Sequence, residues 1–104
     1  MKREINTKFY FEKQNNSRGY YIQDNMVDVY VIVEGINRLD AKNRFDEIVE
    51  GRCEYCECCG PRWRCVMEDE YEDVETLLKE KGIESNYIIH FLDGSTTKVR
   101  RKPD

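Results

Sequence analysis

The chain has 104 residues, of which 39% are hydrophobic and 12% aromatic, so it can build one packed core in a single domain, residues 1–104. The aromatic content argues against an intrinsically disordered chain, and no apolar run approaches the roughly 20 residues that cross a bilayer. The formal net charge of −4 argues against general attraction to nucleic acid. Because residues 1–5 are charged without a following apolar segment, we expect no signal peptide and a location in the reducing cytoplasm.

Alternating apolar and polar residues predict the strands of the first third of the chain. The buried face of the first strand is expected to carry Ile5, Thr7, Phe9 and Phe11. A turn over residues 14–19 and a short strand over residues 20–23 follow. The strongest strand is predicted for residues 26–34, with one face formed by Val27, Val29, Val31 and Val33 and the other by Asp28, Tyr30 and Glu34.

Two helices are predicted in the middle of the chain. The first follows Gly35, because Asn37 can cap it and Asp40 stands three residues later. Its apolar face consists of Ala41, Phe45, Ile48 and Val49, and Gly51 follows its end. The second is predicted for residues 69–81, with an apolar face of Tyr71, Val74, Leu77 and Leu78. The acids from Glu68 to Glu75 suit the start of this helix, and Gly82 suits its end.

The last elements form a hairpin. Strands are predicted for residues 87–92 and 96–101, joined by the turn signal Asp93-Gly94. A further short strand is predicted for residues 63–67. The order of elements indicates an α+β fold, with a mainly antiparallel sheet of four to five strands, two helices on one face and a cysteine-rich turn.

The five cysteines are all confined to this turn, between Cys53 and Cys65. Two Cys-x2-Cys pairs overlap, and Gly60 follows the second, as in a zinc knuckle. The candidate metal ligands are Cys53, Cys56, Cys59 and Cys65, with His90 as a substitute for one of them. Cys58 is left out because adjacent thiolates rarely bind one ion comfortably. Since a second, well-separated pair is missing, a structural zinc site and reduced thiols that pack or cap the loop both stay open.

Arginines and a tryptophan accompany the cysteines. The candidate ligand-binding or partner-binding residues are Arg52, Arg62, Trp63 and Arg64, since guanidinium groups bind phosphates and aromatic rings stack on bases. The alternative is that Trp63 fills the core beneath the turn. Arginines would also activate a nearby thiol, but the single histidine, His90, lies inside a predicted strand without an orienting group. We therefore expect that the protein is not an enzyme.

Both ends of the chain are basic. The cations are Lys2, Arg3 and Lys8 at one end and Lys98, Arg100, Arg101 and Lys102 at the other. They would merge into one patch if the two terminal strands lay side by side. The alternative is a pair of solvated tails.

The segment Cys56-Glu57-Cys58-Cys59-Gly60-Pro61-Arg62-Trp63 resembles a family of small, uncharacterised bacteriophage proteins. Those proteins share a strand ending in Val-Glu, a helix, and a turn that runs from Gly-Arg to Cys-x-Cys-Cys-Gly-x-Arg-Trp. Cys53, Cys65 and the second helix are additions here, so a four-thiolate site is not a trait of the family. The resemblance implies a phage origin and life in the cytoplasm of the infected bacterium, and it implies no activity.

Three functions remain as hypotheses. The first is a phage accessory protein that binds a host protein stoichiometrically, as a counter-defence or host-takeover factor. The second is a protein that binds a small-molecule signal such as a nucleotide, through the arginines and Trp63. The third, less favoured, is nucleic-acid binding through the basic termini, which would weaken steeply with salt.

Overall fold

The computed structural model describes residues 7–15, 21–51, 55–56, 60–63, 69–83 and 86–99. No helix in these segments is long and apolar enough to cross a membrane. The elements follow one another as β1 (Lys8–Lys13), β2 (Tyr30–Gly35), α1 (Arg38–Ile48), β3 (Tyr55–Cys56), β4 (Gly60–Pro61), α2 (Val74–Lys81), β5 (Tyr87–His90) and β6 (Thr96–Val99).

The main sheet has four strands in the order β1-β2-β5-β6. The β1/β2 and β5/β6 pairs are antiparallel, and the central β2/β5 pair is parallel. The predicted α+β class is therefore confirmed, in a mixed sheet. A parallel pair needs a long crossover connection. Here α1, the small β3/β4 hairpin and α2 all lie in that crossover.

The two helices pack on opposite faces of the sheet, so the prediction that they share one face is wrong. Alternate residues of β2 point to opposite sides. Val31 and Val33 belong to the core cluster that contains α1, together with Tyr10, Phe45 and Trp63. Ile32 belongs to the cluster that contains Leu77 of α2, together with Ile83, Tyr87 and Ile89. Both faces of β2 are consequently buried in a core, as is usual for strands in a parallel pair.

The terminal strands form opposite edges of the sheet. β1 and β6 are separated by both central strands, and neighbouring strands lie about 4.8 Å apart. The two terminal strands therefore do not lie side by side, which is the arrangement that would merge the basic ends of the sequence into one patch.

The segment before β2 is a loop rather than the predicted strand. The Asp24 carboxylate accepts hydrogen bonds from the N–H groups of Met26 and Val27, at 2.8 and 3.0 Å. The Asp28 carboxylate accepts from Val29 N–H at 2.8 Å. These local bonds use donors that a strand would give to its neighbour, so the ladder begins only at Tyr30. A short strand is predicted for residues 20–23, but its described part, residues 21–23, is not in a strand.

Each helix begins at a side-chain cap. Asn37 caps α1 and accepts from Asp40 N–H at 2.8 Å, while Asp40 accepts from Ile36 N–H at 3.0 Å. These bonds confirm the predicted start of the first helix. Asp73 caps α2 and accepts from Thr76 N–H at 2.7 Å. The second helix therefore starts at Val74, five residues later than expected, and it ends at left-handed Gly82 as expected.

Candidate functional site

The cysteine turn is described in part. Four of its cysteines lie outside the described residues: Cys53, Cys58, Cys59 and Cys65. Arg52 and Arg64 lie outside them too. Cys56 stands in β3, where the backbone pairs Cys56 with Gly60 and Tyr55 with Pro61 in an antiparallel hairpin. The described segments contain no cluster of three or more potential metal-ligating side chains.

Arg62 follows this hairpin and points into the protein. Its side chain is only 1% exposed. One guanidinium nitrogen, Nη1, donates to Gln14 Oε1 at 2.8 Å and to the Asn15 carbonyl at 3.4 Å. The Arg62 carbonyl in turn accepts from Asn15 N–H at 2.8 Å. These bonds fasten the end of the turn to the end of β1.

Gln14 is the centre of this polar cluster and is itself buried. Its Nε2 donates to the carbonyls of Ile22 and Asp28, both at 3.0 Å. Its Oε1 accepts from Ile22 N–H at 2.6 Å as well as from Arg62. One carboxamide, directly after β1, therefore contacts both the loop before β2 and the end of the cysteine turn. We call Gln14 and Arg62, with the backbone groups they bond, the Gln14–Arg62 hub.

Trp63 also faces inward. Its side chain is 4% exposed and meets Phe45 of α1 edge to face, with ring centroids 5.4 Å apart. The interpretation that Trp63 fills the core beneath the turn agrees with this position. Neither Arg62 nor Trp63 presents its side chain to solvent, so the small-molecule hypothesis loses two of the four residues on which it rested.

His90 lies in β5 and is 8% exposed. Its Nε2 is 2.6 Å from the Met26 carbonyl, which can only accept, so Nε2 carries the proton. Burial lowers the His90 pKa below its ordinary 6.5, and the bond to Met26 opposes that shift only partly. The ring is therefore neutral at pH 7 and holds the loop before β2 against the sheet.

A half-open cavity of about 180 Å³ lies beside His90, between α1 and the β5–β6 turn. Its lining includes Met26, Arg44, Glu47 and Phe91. Sites for drug-sized or nucleotide-sized ligands usually enclose about 300 Å³ or more. Arg44 is already engaged, since its Nε lies 3.0 Å from Asp40 Oδ2. This cavity suits solvent or a small ion better than a nucleotide.

The acidic segment before α2 lies along the free side of β1. Tyr71 and Phe9 exchange two backbone hydrogen bonds, at 2.8 and 2.9 Å. Glu70 accepts from the Tyr10 hydroxyl at 3.0 Å, and Lys8 lies 3.4 Å from Glu72. Burial, together with the Glu70 carboxylate, raises the pKa of Tyr10 to about 12. The acidic run therefore helps to cover the β1 edge.

Three large hydrophobic side chains are exposed on the described surface, and sequence reasoning missed the two most exposed of them. Ile36 is 55% exposed and Leu39 is 67% exposed. They flank the cap of α1 just beyond the end of β2. The available signal was that Leu39 falls outside the apolar face formed by Ala41, Phe45 and Ile48.

Comparison with known families gives one match. A family described as "Domain of unknown function (DUF7296)" matches residues 7–102. The chain belongs to this family. No curated protein matches the chain. No solved structure matches it either.

The DUF7296 match spans every candidate residue of the cysteine turn as well as the Gln14–Arg62 hub and the exposed pair Ile36 and Leu39.

Proposed function

We propose that this DUF7296 protein is a bacteriophage accessory protein that works in the cytoplasm of the infected bacterium by stoichiometric binding to a host protein, as a counter-defence or takeover factor. The observation that supports this function is the exposed apolar pair Ile36 and Leu39. Exposed apolar patches are one of the features that mark protein–protein interaction sites.

The position of the pair explains why folding leaves it exposed. A residue just before a helix cap, here Ile36, often packs on the fourth residue of the helix. That residue is Ala41, which is fully buried against Gly35 and has no side chain long enough to cover Ile36. Leu39 is not one of the buried residues of α1 that contact the core. A partner protein that covers both side chains would remove their apolar surface from water. The fold itself does not do so, and this burial would favour binding.

The test is affinity capture from infected cells with quantitative mass spectrometry. We expect the wild-type protein to retrieve one host protein in a near-equimolar ratio. The double substitution Ile36→Ser and Leu39→Ser should abolish capture without lowering the melting temperature, because both side chains are exposed. The matched control is Lys42→Ser with Asp46→Ser on the same helix, which removes only a surface ion pair of 3.6 Å. Equal capture by both double variants would refute the assignment.

We also propose that the β3/β4 hairpin is a zinc knuckle whose ligands are Cys53, Cys56, Cys59 and Cys65. The register supports it: pairing of Cys56 with Gly60 puts Cys56 next to the hairpin tip, and Cys59 precedes Gly60 in sequence. Two cysteines separated by two residues and followed by a glycine can both reach one ion.

Native mass spectrometry of the untagged, reduced protein tests the zinc site. We expect one zinc ion per chain, lost together with part of the folding stability when a chelator is added. Cys56→Ser should abolish the metal adduct, and Cys58→Ser should retain it. A metal-free mass with five alkylatable thiols would contradict this site and would leave the host-binding proposal standing.

A further inference from the structure

The outer edge of β6 differs from the other edge of the sheet. On β1, Tyr71 occupies part of the edge through its two backbone bonds to Phe9. In the described part of the chain, no strand pairs with the outer side of β6. An open edge is a template for another extended chain.

The turn before β6 determines which groups point outward. Phe91 N–H donates to the Ser95 carbonyl at 2.8 Å, which makes these two residues a hydrogen-bonded pair. Bonded and non-bonded pairs alternate in an antiparallel ladder, so the next β6 residue that bonds to β5 is Thr97. The N–H and C=O groups of Thr96 and Lys98 therefore point away from the sheet.

A lysine on an edge strand often protects that edge from further pairing. Lys98 is placed differently. Its ammonium donates to the Asp24 carbonyl and lies 3.8 Å from the fully buried Asp28 carboxylate. The side chain is only 25% exposed and lies across the face of the sheet toward the loop before β2. It does not project from the edge as a barrier.

The charge of this part of the chain indicates the kind of partner. Lys98 is followed by Arg100, Arg101 and Lys102, with no acid between them and Thr96. Antiparallel pairing of β6 with a second copy would bring two of these basic sequences close together, and like charges at short range repel one another. An acidic segment would instead be attracted to these cations.

We infer that the β6 edge binds an extended acidic segment of a partner protein by adding it to the sheet as a fifth strand. The backbone groups of Thr96 and Lys98 supply the hydrogen bonds, and the basic residues that follow select the charge. The inference rests on the proposed function in so far as the partner is a protein, but it uses a surface that does not include Ile36 or Leu39.

The probe is a short fluorescein-labelled peptide of alternating valine and glutamate, titrated with the full-length protein at low salt and followed by fluorescence polarisation. We expect binding that weakens with salt, and no binding of the matched peptide that carries lysine for glutamate. Thr96→Pro removes one outward N–H at the first residue of β6, where proline is tolerated. It should weaken binding about tenfold. Thr96→Ala, the control, should leave binding unchanged.

Hydrogen exchange gives a second readout that does not depend on how well Thr96→Pro folds. In the wild-type protein, the peptide should slow exchange at the amides of Thr96 and Lys98 and leave that of Ile36 unchanged. The inference is overturned by equal binding of both peptides, by binding without new protection at β6, or by a dimer that Thr96→Pro dissociates. The Ile36→Ser and Leu39→Ser double variant should bind the peptide normally, so failure here and failure of the host-binding proposal are distinguishable.

Discussion

Arg62 is a charged residue in the interior of the protein, with only 1% of its surface exposed. A buried charge is costly unless it is hydrogen-bonded, and a guanidinium offers five donors with which to meet that requirement. Arg62 donates hydrogen bonds to the Gln14 side chain and to the Asn15 carbonyl. The arginine that the sequence presents beside a tryptophan and cysteines is therefore a structural anchor for the turn.

Gln14→Leu tests the Gln14–Arg62 hub. The substitution keeps the side chain similar in size. It removes the donor to the Ile22 carbonyl, the acceptor of the Ile22 N–H and one acceptor of Arg62. We expect the free energy of unfolding to fall by about 2 to 3 kcal/mol, the cost of leaving buried polar groups unsatisfied. Urea denaturation followed by tryptophan fluorescence measures it, because Trp63 is the single tryptophan.

The control for this experiment is Asn43→Leu, which makes the same kind of amide-to-leucine change on the exposed face of α1. It should alter the free energy of unfolding by no more than about 0.5 kcal/mol. If Gln14→Leu proved equally mild, the hub would contribute little to stability.

At the scale of the elements, the junction between β2 and α1 leaves no room for a side chain at Gly35. A Cβ built on Gly35 would lie 2.8 Å from the Ala41 backbone nitrogen and 2.9 Å from the Ala41 Cβ. Backbone atoms of a capped helix cannot move aside cheaply. Glycine is thus required at this position for space and not for a special backbone angle.

Gly35→Ala should therefore lower the free energy of unfolding by about 1 to 3 kcal/mol through overpacking. Thermal and urea unfolding would measure the change. Gly82→Asn is the informative contrast: Gly82 has a φ of +61° with nothing within 4 Å, and asparagine tolerates that conformation. A larger loss at Gly82 than at Gly35 would show that backbone conformation, not crowding, limits these positions.

For the molecule as a whole, the loop before β2 is held to the sheet by two side chains from neighbouring strands. His90 donates to the Met26 carbonyl, and Lys98 donates to the Asp24 carbonyl. The imidazole is buried and neutral, and burial keeps its pKa below 6.5. In the unfolded chain it protonates at its ordinary pKa. The unfolded state therefore binds more protons than the folded state as the pH falls through about 6.5.

It follows that stability is highest above the unfolded pKa of His90 and declines as the pH falls from about 7.5 to about 5.5. Urea unfolding at several pH values should show this decline. His90→Gln, whose amide can still donate to the Met26 carbonyl, should flatten it, because the chain has one histidine. The same slope in His90→Gln would assign the decline to another group, and a rise in stability toward pH 5.5 would contradict the lowered pKa.

The local features of this protein follow from the sequence alone, because short-range hydrogen bonds decide them. The Asn37 cap, the apolar face of α1, the Asp93-Gly94 turn and the left-handed end of α2 at Gly82 were all predicted and are present. The α+β class also follows from the sequence, but for another reason: it depends on the order of the elements and not on how they pack.

Only the tertiary structure decided where those elements lie and which side chains they bury. The sequence contains a signal for burial on both faces of β2, because Ile32 interrupts its polar face, yet the placement of helices on either side depends on the parallel pairing with β5. The same pairing puts β1 and β6 at opposite edges. Arg62 turns inward because Gln14, 48 residues away, offers it an acceptor inside the protein. Such long-range partners exist only once the chain has folded, so a local pattern cannot distinguish this anchor from a binding residue.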